Sequence, residues 1–366
     1  MKFQKALFYF LFLFTIITVG QKTQDSIYTK KLTTLNDSLL TKKETRSQIT
    51  FIKKMLVLSE KQKDTFRSIG FLHTIGRQSQ YIQEHFNAIK SFQKELKLYN
   101  KYNFSDKEKA NLDQRKIAPI EILVQLGNSY ASIGETEIGL DYYAKGEAIA
   151  KKENLEFYEA VLPVLIGSMH FNAGDYQKAL LEYKKGNRKL KGAKDIDELN
   201  RNFNRALTLS SISSTYLKLK KIDSAKLILK EIEEKKLDTI TDLVKIGFLV
   251  QKNRVLIAEK KYSEALNELE ILKELSNQYD SKSGNYYYYK ELTEVYEGLK
   301  KYDSAIAVMQ RGIAIGLTKT KEFNLVEDYK TLAKIYKKAG NLEKSNEYFE
   351  KYVLNQTSLE KNKKTL

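Results

Sequence analysis

The chain has no cysteine and no tryptophan, and only two prolines (Pro119, Pro163) and three histidines (His73, His85, His170). Without cysteine there is no disulfide, no thiolate metal site, no cysteine nucleophile and no lipid-bearing cysteine at a signal cleavage site. So few prolines over this length favour an all-helical chain. His73 and His85 lie twelve residues apart, which is not the spacing of a metal-binding helical pair. His170 falls where other copies of the repeat carry tyrosine, so packing between helices is its expected role. No glycine-rich loop ending in Lys-Ser or Lys-Thr is present to hold a phosphate. Beyond the N-terminus, the most apolar stretch, Ala160 to Met169, is too short to cross a bilayer and contains Pro163. These shortages leave no credible active site, so no enzyme activity, cofactor or metal is expected.

What is present is charge and helix-forming sequence. Of 366 residues, 42% are hydrophobic, enough for a core, and 30% are charged. Sixty-three Lys and Arg against 46 Asp and Glu give a formal charge of +17. That balance is compatible with nucleic acid, an anionic membrane or an acidic protein. Both signs are mixed along most helices, as a solvated lysine-rich surface requires.

Residues 1–20 read as an export signal. Lys2 and Lys5 precede an uncharged apolar run from Ala6 to Val19, and Thr18 and Gly20 suit a cut before Gln21. The run is short for a spanning helix, which needs about 20 apolar residues. Anchoring by residues 6–19 is the alternative. The expected location is the periplasm or the exterior, with membrane contact only where the segment stays uncleaved.

The chain is organised by repetition. Lys300-Lys301-Tyr302-Asp303-Ser304-Ala305 has counterparts at Lys260 to Ala265 and Lys220 to Ala225, and Gly340 to Ser345 follows. A period of forty marks units that bury their apolar faces only by stacking on neighbours. Leu126-Gly127, Tyr130, Gly134, Gly139 and Tyr143 form the best copy. Ile166-Gly167, His170, Gly174, Ala179 and Tyr183 form the next. Tyr216 with Ala225, Leu256 with Ala265, Tyr296 with Ala305 and Tyr336 with Ser345 continue the series, and Ile75-Gly76, Ala88 and Phe92 form a weaker early copy. Small residues at these places allow close helix approach, and larger ones four later fill the gap.

This pattern resembles the tetratricopeptide repeat family over most of the mature chain, and in organisation it resembles exported bacterial members and the extracytoplasmic repeat regions of sensor kinases. The resemblance implies an all-α, right-handed superhelical solenoid of antiparallel helix pairs with a concave inner face. The expected organisation is a signal at 1–20, a degenerate cap at 21–65, about seven units over 66–354 and a polar tail at 355–366. The period exceeds the family's roughly 34 residues and the closing proline is missing, so the helices should run about a turn longer. The interval from Ala88 to Gly139 is 51 and that from Ala179 to Ala225 is 46, so two units carry insertions. Ser105 with Glu108 is a capping-box pattern that predicts a short helix in the first. A lengthened loop is expected around Gly192 to Asp195.

In the family, positions two, five, nine, twelve and thirteen of each first helix line the groove. Carried onto this sequence, they are Asn128, Val164, Phe171, Asn172 and Arg254 in the middle, then Tyr287, Lys290, Lys330, Lys334, Lys337 and Lys338. Lys330, Lys334 and Lys338 share one helical face, which could bind carboxylates, phosphate or an acidic peptide, or could be a solvated end helix. Tyr289 of the run Tyr286 to Tyr289 occupies the repeat's tryptophan slot and is expected in the core. The reading is a non-enzymatic scaffold that binds a protein or peptide, the lysines favouring an acidic one; a sensory module acting with a separate signalling protein is the alternative. Nucleic acid is favoured by charge alone and export argues against it, so no specific nucleic acid is expected.

Overall fold

The computed structural model describes residues 26–42, 44–115, 117–278, 282–317 and 325–363. The signal and anchor readings of the first twenty residues lie outside that set. The described residues form seventeen α-helices and one 3-10 turn, with no strand among them. They divide near Lys152 into two compact units.

The first unit runs through α1 (Ser26–Leu40), α2 (Thr45–Lys61), α3 (Thr65–Tyr81), α4 (His85–Tyr99), α5 (Asp106–Gln114), α6 (Pro119–Ser132) and α7 (Thr136–Glu153). The second holds α8 (Glu156–Asn172), α9 (Tyr176–Gly192), α10 (Glu198–Lys218), α11 (Ile222–Glu234), a 3-10 turn (Leu237–Thr239), α12 (Asp242–Ala258), α13 (Tyr262–Gln278), α14 (Lys282–Gly298), α15 (Tyr302–Leu317), α16 (Val326–Lys338) and α17 (Leu342–Lys363). α17 carries helix into the stretch expected to be a polar tail.

Eight helix junctions share one backbone device. Lys63, Gln83, Gly134, Gly174, Lys220, Lys260, Lys300 and Gly340 all have positive φ, between 55° and 83°. The amide of the following residue donates to a carbonyl five back: Asp64 to Ser59, Glu84 to Ser79, Glu135 to Tyr130, Asp175 to His170, and Lys221, Lys261, Lys301 and Asn341 to Tyr216, Leu256, Tyr296 and Tyr336, at 2.8–3.0 Å. The left-handed residue's own amide bonds three back, as Lys300 does to Glu297 at 3.0 Å. This paired arrangement ends a helix while satisfying carbonyls that would otherwise be left over. The recurring lysine pairs are therefore turn elements, the first lysine of each supplying the left-handed residue.

Packing follows from small residues facing large ones. Ala88, Ala179, Ala225, Ala265 and Ala305 are fully buried at the start of their helices. A Cβ added at Gly76 would fall 2.5 Å from the Phe92 ring, one at Gly127 2.2 Å from Tyr143, and one at Gly167 2.8 Å from Tyr183. The ring thus occupies the volume the glycine leaves empty. In the second unit, Ala179, Tyr183, Leu209, Ala225, Leu229, Leu249, Ala265 and Leu269 belong to one continuous core. Tyr288 is buried in it, and Tyr289 packs against it from a half-buried position.

The insertions take definite forms. α5 begins with the capping box its sequence predicts: the Glu108 amide meets Ser105 Oγ, and the Glu108 carboxylate accepts from the Ser105 amide. Pro119 sits in the first turn of α6, where its missing donor is harmless. The second insertion is a loop after α9 followed by a 21-residue α10. Asp195 of that loop accepts from the Phe157 amide at 2.8 Å, tying the loop to the start of α8.

Candidate functional site

The residues assigned to a ligand face stand on the first helix of each pair. In the first unit this is α6, where Asn128 is half-buried. Its Oδ1 accepts from Tyr143 Oη at 2.7 Å, so the amide also fixes α7 against α6. The equivalent place on α8 holds Ser168, whose hydroxyl lies 3.1 Å from Tyr183 Oη. A polar residue one place after the small one thus satisfies the tyrosine hydroxyl that the close approach brings in.

In the second unit the assigned residues spread over four first helices. Asn172 closes α8 and is exposed, while Val164 and Phe171 are half-buried and pack against the core. Arg254 on α12 reaches α14, where Nη2 lies 2.8 Å and Nε 2.9 Å from Glu291 Oε1. Lys290 on α14 reaches α16, with Nζ 2.9 Å from Asp328 Oδ1. Tyr286 donates a short hydrogen bond to the same carboxylate. The side chain of Tyr287 lies outside the described residues, so its groove assignment rests on sequence.

The carboxylates of these pairs are strongly desolvated. The side chains of Glu291 and Asp328 are 1% and 3% exposed. Burial pushes the Glu291 carboxyl up to about 7 against the opposing pull of Arg254, and Glu294 adds to the rise. Burial alone would lower the Lys290 ammonium, but Asp328 and Tyr286 outweigh it and hold the pKa above the usual lysine value. Arg254 and Lys290 are therefore clamps between successive first helices as well as candidate contacts. Their charge is already matched by a carboxylate, which leaves less of it for an acidic ligand.

The terminal lysines differ among themselves. Lys330 is half-buried, 3.6 Å from Glu327 and 5.1 Å from the centre of the Tyr352 ring. Lys338 pairs with Glu297 at 2.6 Å. Lys334 and Lys337 are exposed, and among the described residues no ion pair engages Lys334. The structure brings Arg254, Lys290 and α16 into one chain of neighbouring first helices. Of Lys330, Lys334 and Lys338, Lys334 is the one that is exposed and, among the described residues, engaged in no ion pair.

Sequence reasoning missed two buried pairs. His73 Nδ1 lies 2.9 Å from Glu95 Oε1, linking α3 to α4, and burial raises the Glu95 pKa. Glu291 is the second. Both residues sit amid mixed charge with no spacing that separates them from surface carboxylates. Burial also pushes His85 down to about 4. Among the described residues no group of three or more His, Asp or Glu could hold a metal ion, and no helix is long and apolar enough to cross a membrane.

The chain has an all-α, tetratricopeptide-like helical-repeat fold. Within that class it is similar to several solved proteins. A Rap protein complexed with competence and sporulation factor covers 93% of this chain and 89% of its own, with 12% identity and a TM-score of 0.64. The Rap conjugation gene regulator of plasmid pLS20, in complex with the Phr* peptide, covers 93% and 87%, with 13% identity and a TM-score of 0.63. Aspartyl phosphate phosphatase F from Bacillus subtilis covers 92% and 85%, with 15% identity and a TM-score of 0.58. At these identities the likeness is one of fold. No family model matches the sequence, and no curated protein matches it.

Proposed function

We propose that the chain is an exported, non-enzymatic scaffold that binds a protein or peptide along its first helices. The observation that carries this reading is the likeness, over 93% of the chain, to a regulator solved in complex with the Phr* peptide. The exposed Asn172 and Lys334 offer hydrogen bonds and positive charge at places the packing of the repeat does not consume, while half-buried Asn128 and Lys330 also make packing contacts of their own. Such groups suit a peptide backbone and carboxylates. Export is proposed from the basic and apolar character of residues 1–20.

Affinity purification of the native protein, followed by mass spectrometry, tests both parts. A recurrent protein or peptide partner is expected, with an N-terminal peptide beginning at Gln21. Lys330→Glu with Lys334→Glu should weaken capture at least tenfold while the helical circular dichroism is unchanged. Capture that survives this reversal at full strength overturns the assignment to the first helices.

A sensory module acting with a separate signalling protein is the second reading, favoured by the likeness to a conjugation gene regulator. A ligand-dependent change in binding to a second protein supports it. The likeness to an aspartyl phosphate phosphatase makes hydrolysis of an aspartyl phosphate the assay to run against the non-enzymatic reading. Turnover abolished by one side-chain substitution would contradict that reading.

A further inference from the structure

The first helix pair carries an exposed apolar groove edged by lysines. Ile27, Lys30, Lys31, Thr34 and Leu35 fall on one face of α1, and Lys54, Val57, Leu58 and Lys61 on one face of α2. Both sets follow helical spacing at i, i+3, i+4 and i+7, so each is a single stripe. Together they line an open groove of about 640 Å³. Its floor is apolar, yet Ile27 is 63% and Val57 51% exposed. The opposite faces of these helices are spent on the core, through Tyr28, Leu32 and Leu39 on α1 and Ile49, Ile52, Met55 and Leu56 on α2. The outer stripe is therefore a second apolar surface, beyond what the fold buries.

Every charged residue that lines it is basic. Lys30, Lys31, Lys54 and Lys61 are exposed, and among the described residues none is engaged in an ion pair. Lys54 lies 4.9 Å from the centre of the Phe51 ring. Glu60, the nearest carboxylate along α2, is drawn away to Lys94 at 2.6 Å. Four ammonium groups around exposed aliphatic side chains match an anionic bilayer surface: headgroups answer the lysines while Ile27 and Val57 enter the interfacial layer. The sequence adds a matter of reach. The apolar run ends at Val19, and the eight residues from there to Ile27 span at most about 28 Å of extended chain. In the alternative where residues 6–19 stay uncleaved, a membrane that held that run would lie within reach of the groove.

We infer that the α1–α2 face docks on anionic lipid bilayers, through Lys30, Lys31, Lys54 and Lys61 with Ile27 and Val57 inserted between headgroups. This contact is independent of the ligand face on the first helices. It gives the lysine excess of this end a specific partner.

The test uses the full chain and sedimentation with two vesicle types, phosphatidylcholine alone and phosphatidylcholine with phosphatidylglycerol. The apolar N-terminal run would contribute to binding of both types, so the readout is the preference for the anionic one. Each lysine near an anionic surface adds about fivefold in affinity. The variant Lys30→Gln, Lys31→Gln, Lys54→Gln, Lys61→Gln should lose that preference by at least tenfold. A control with the same charge change at exposed positions (Lys90→Gln, Lys107→Gln, Lys109→Gln, Lys152→Gln) should retain most of it. Ile27→Ser with Val57→Ser should weaken binding while preserving part of the preference. Equal losses in the two lysine variants overturn the inference, because net charge would then explain the binding. It is equally overturned if the unaltered chain shows no anionic preference, or if the groove captures an acidic protein and ignores vesicles.

Discussion

Lys260 and Gly174 hold the same place in two repeats, and both have left-handed backbone, with φ of 62° and 83°. For lysine that conformation costs about 1 kcal/mol, because its Cβ crowds the backbone. Glycine adopts it without that crowding but loses more freedom on folding. Lys260→Gly should therefore raise stability by up to about 1 kcal/mol, and Gly174→Ala should lower it by about 1 kcal/mol. Nothing lies within 4 Å of a Cβ placed at Gly174, so the loss would come from backbone strain alone. Urea denaturation of each variant checks both signs. At Gly127 the cause differs: a Cβ would meet the Tyr143 ring, and alanine should cost about 1–3 kcal/mol by overpacking. The same denaturation series separates the two mechanisms. Adding Tyr143→Leu, which gives the new methyl room, should recover part of the Gly127→Ala loss and nothing at Gly174.

Between elements, the decisive contacts are those joining successive first helices. Arg254 meets Glu291 across α12 and α14, and Lys290 meets Asp328 across α14 and α16. Glu291 has a folded-state pKa of about 7 against an ordinary 4.5. Between those values the folded chain holds a proton that the unfolded chain has released. Stability should thus fall as pH rises from about 4.5 through about 7, with the full penalty present above that. Glu291→Gln, which still offers Arg254 an oxygen, should flatten this dependence and raise the unfolding midpoint above about pH 7, as thermal melts across pH would show. Ala305→Asp should cost several kcal/mol, about 3–5, because the methyl is fully buried where α15 begins and a carboxylate there has no partner. The repeat contacts were legible in the sequence: Ala305, Gly127 with Tyr143, and the Ser105 capping box follow from residue size, spacing and local hydrogen bonding. The clamps were not. Glu291 and Asp328 look like any surface carboxylate until tertiary packing buries them, and Lys290 reads as a ligand contact until Asp328 lies beside it. Asn128 shows the same limit, since its bond to Tyr143 depends on how closely α7 approaches α6.

At the scale of the molecule, the repeats provide a scaffold whose second helices serve mainly packing. Tyr143, Tyr183, Leu269 and Met309 on those helices are buried. Asn172 and Lys334 remain exposed on first helices. Residues that assemble the array are thus distinct from Asn172 and Lys334, which remain available to a partner. The proposed protein or peptide ligand lies on the first helices. The most direct measurement is hydrogen exchange of the full chain with and without the partner recovered by native affinity purification. Ligand-dependent slowing is predicted in α6, α8, α12, α14 and α16, with α7, α9, α13 and α15 nearly unchanged. Slowing concentrated in the second helices, or confined to α1 and α2, would contradict it.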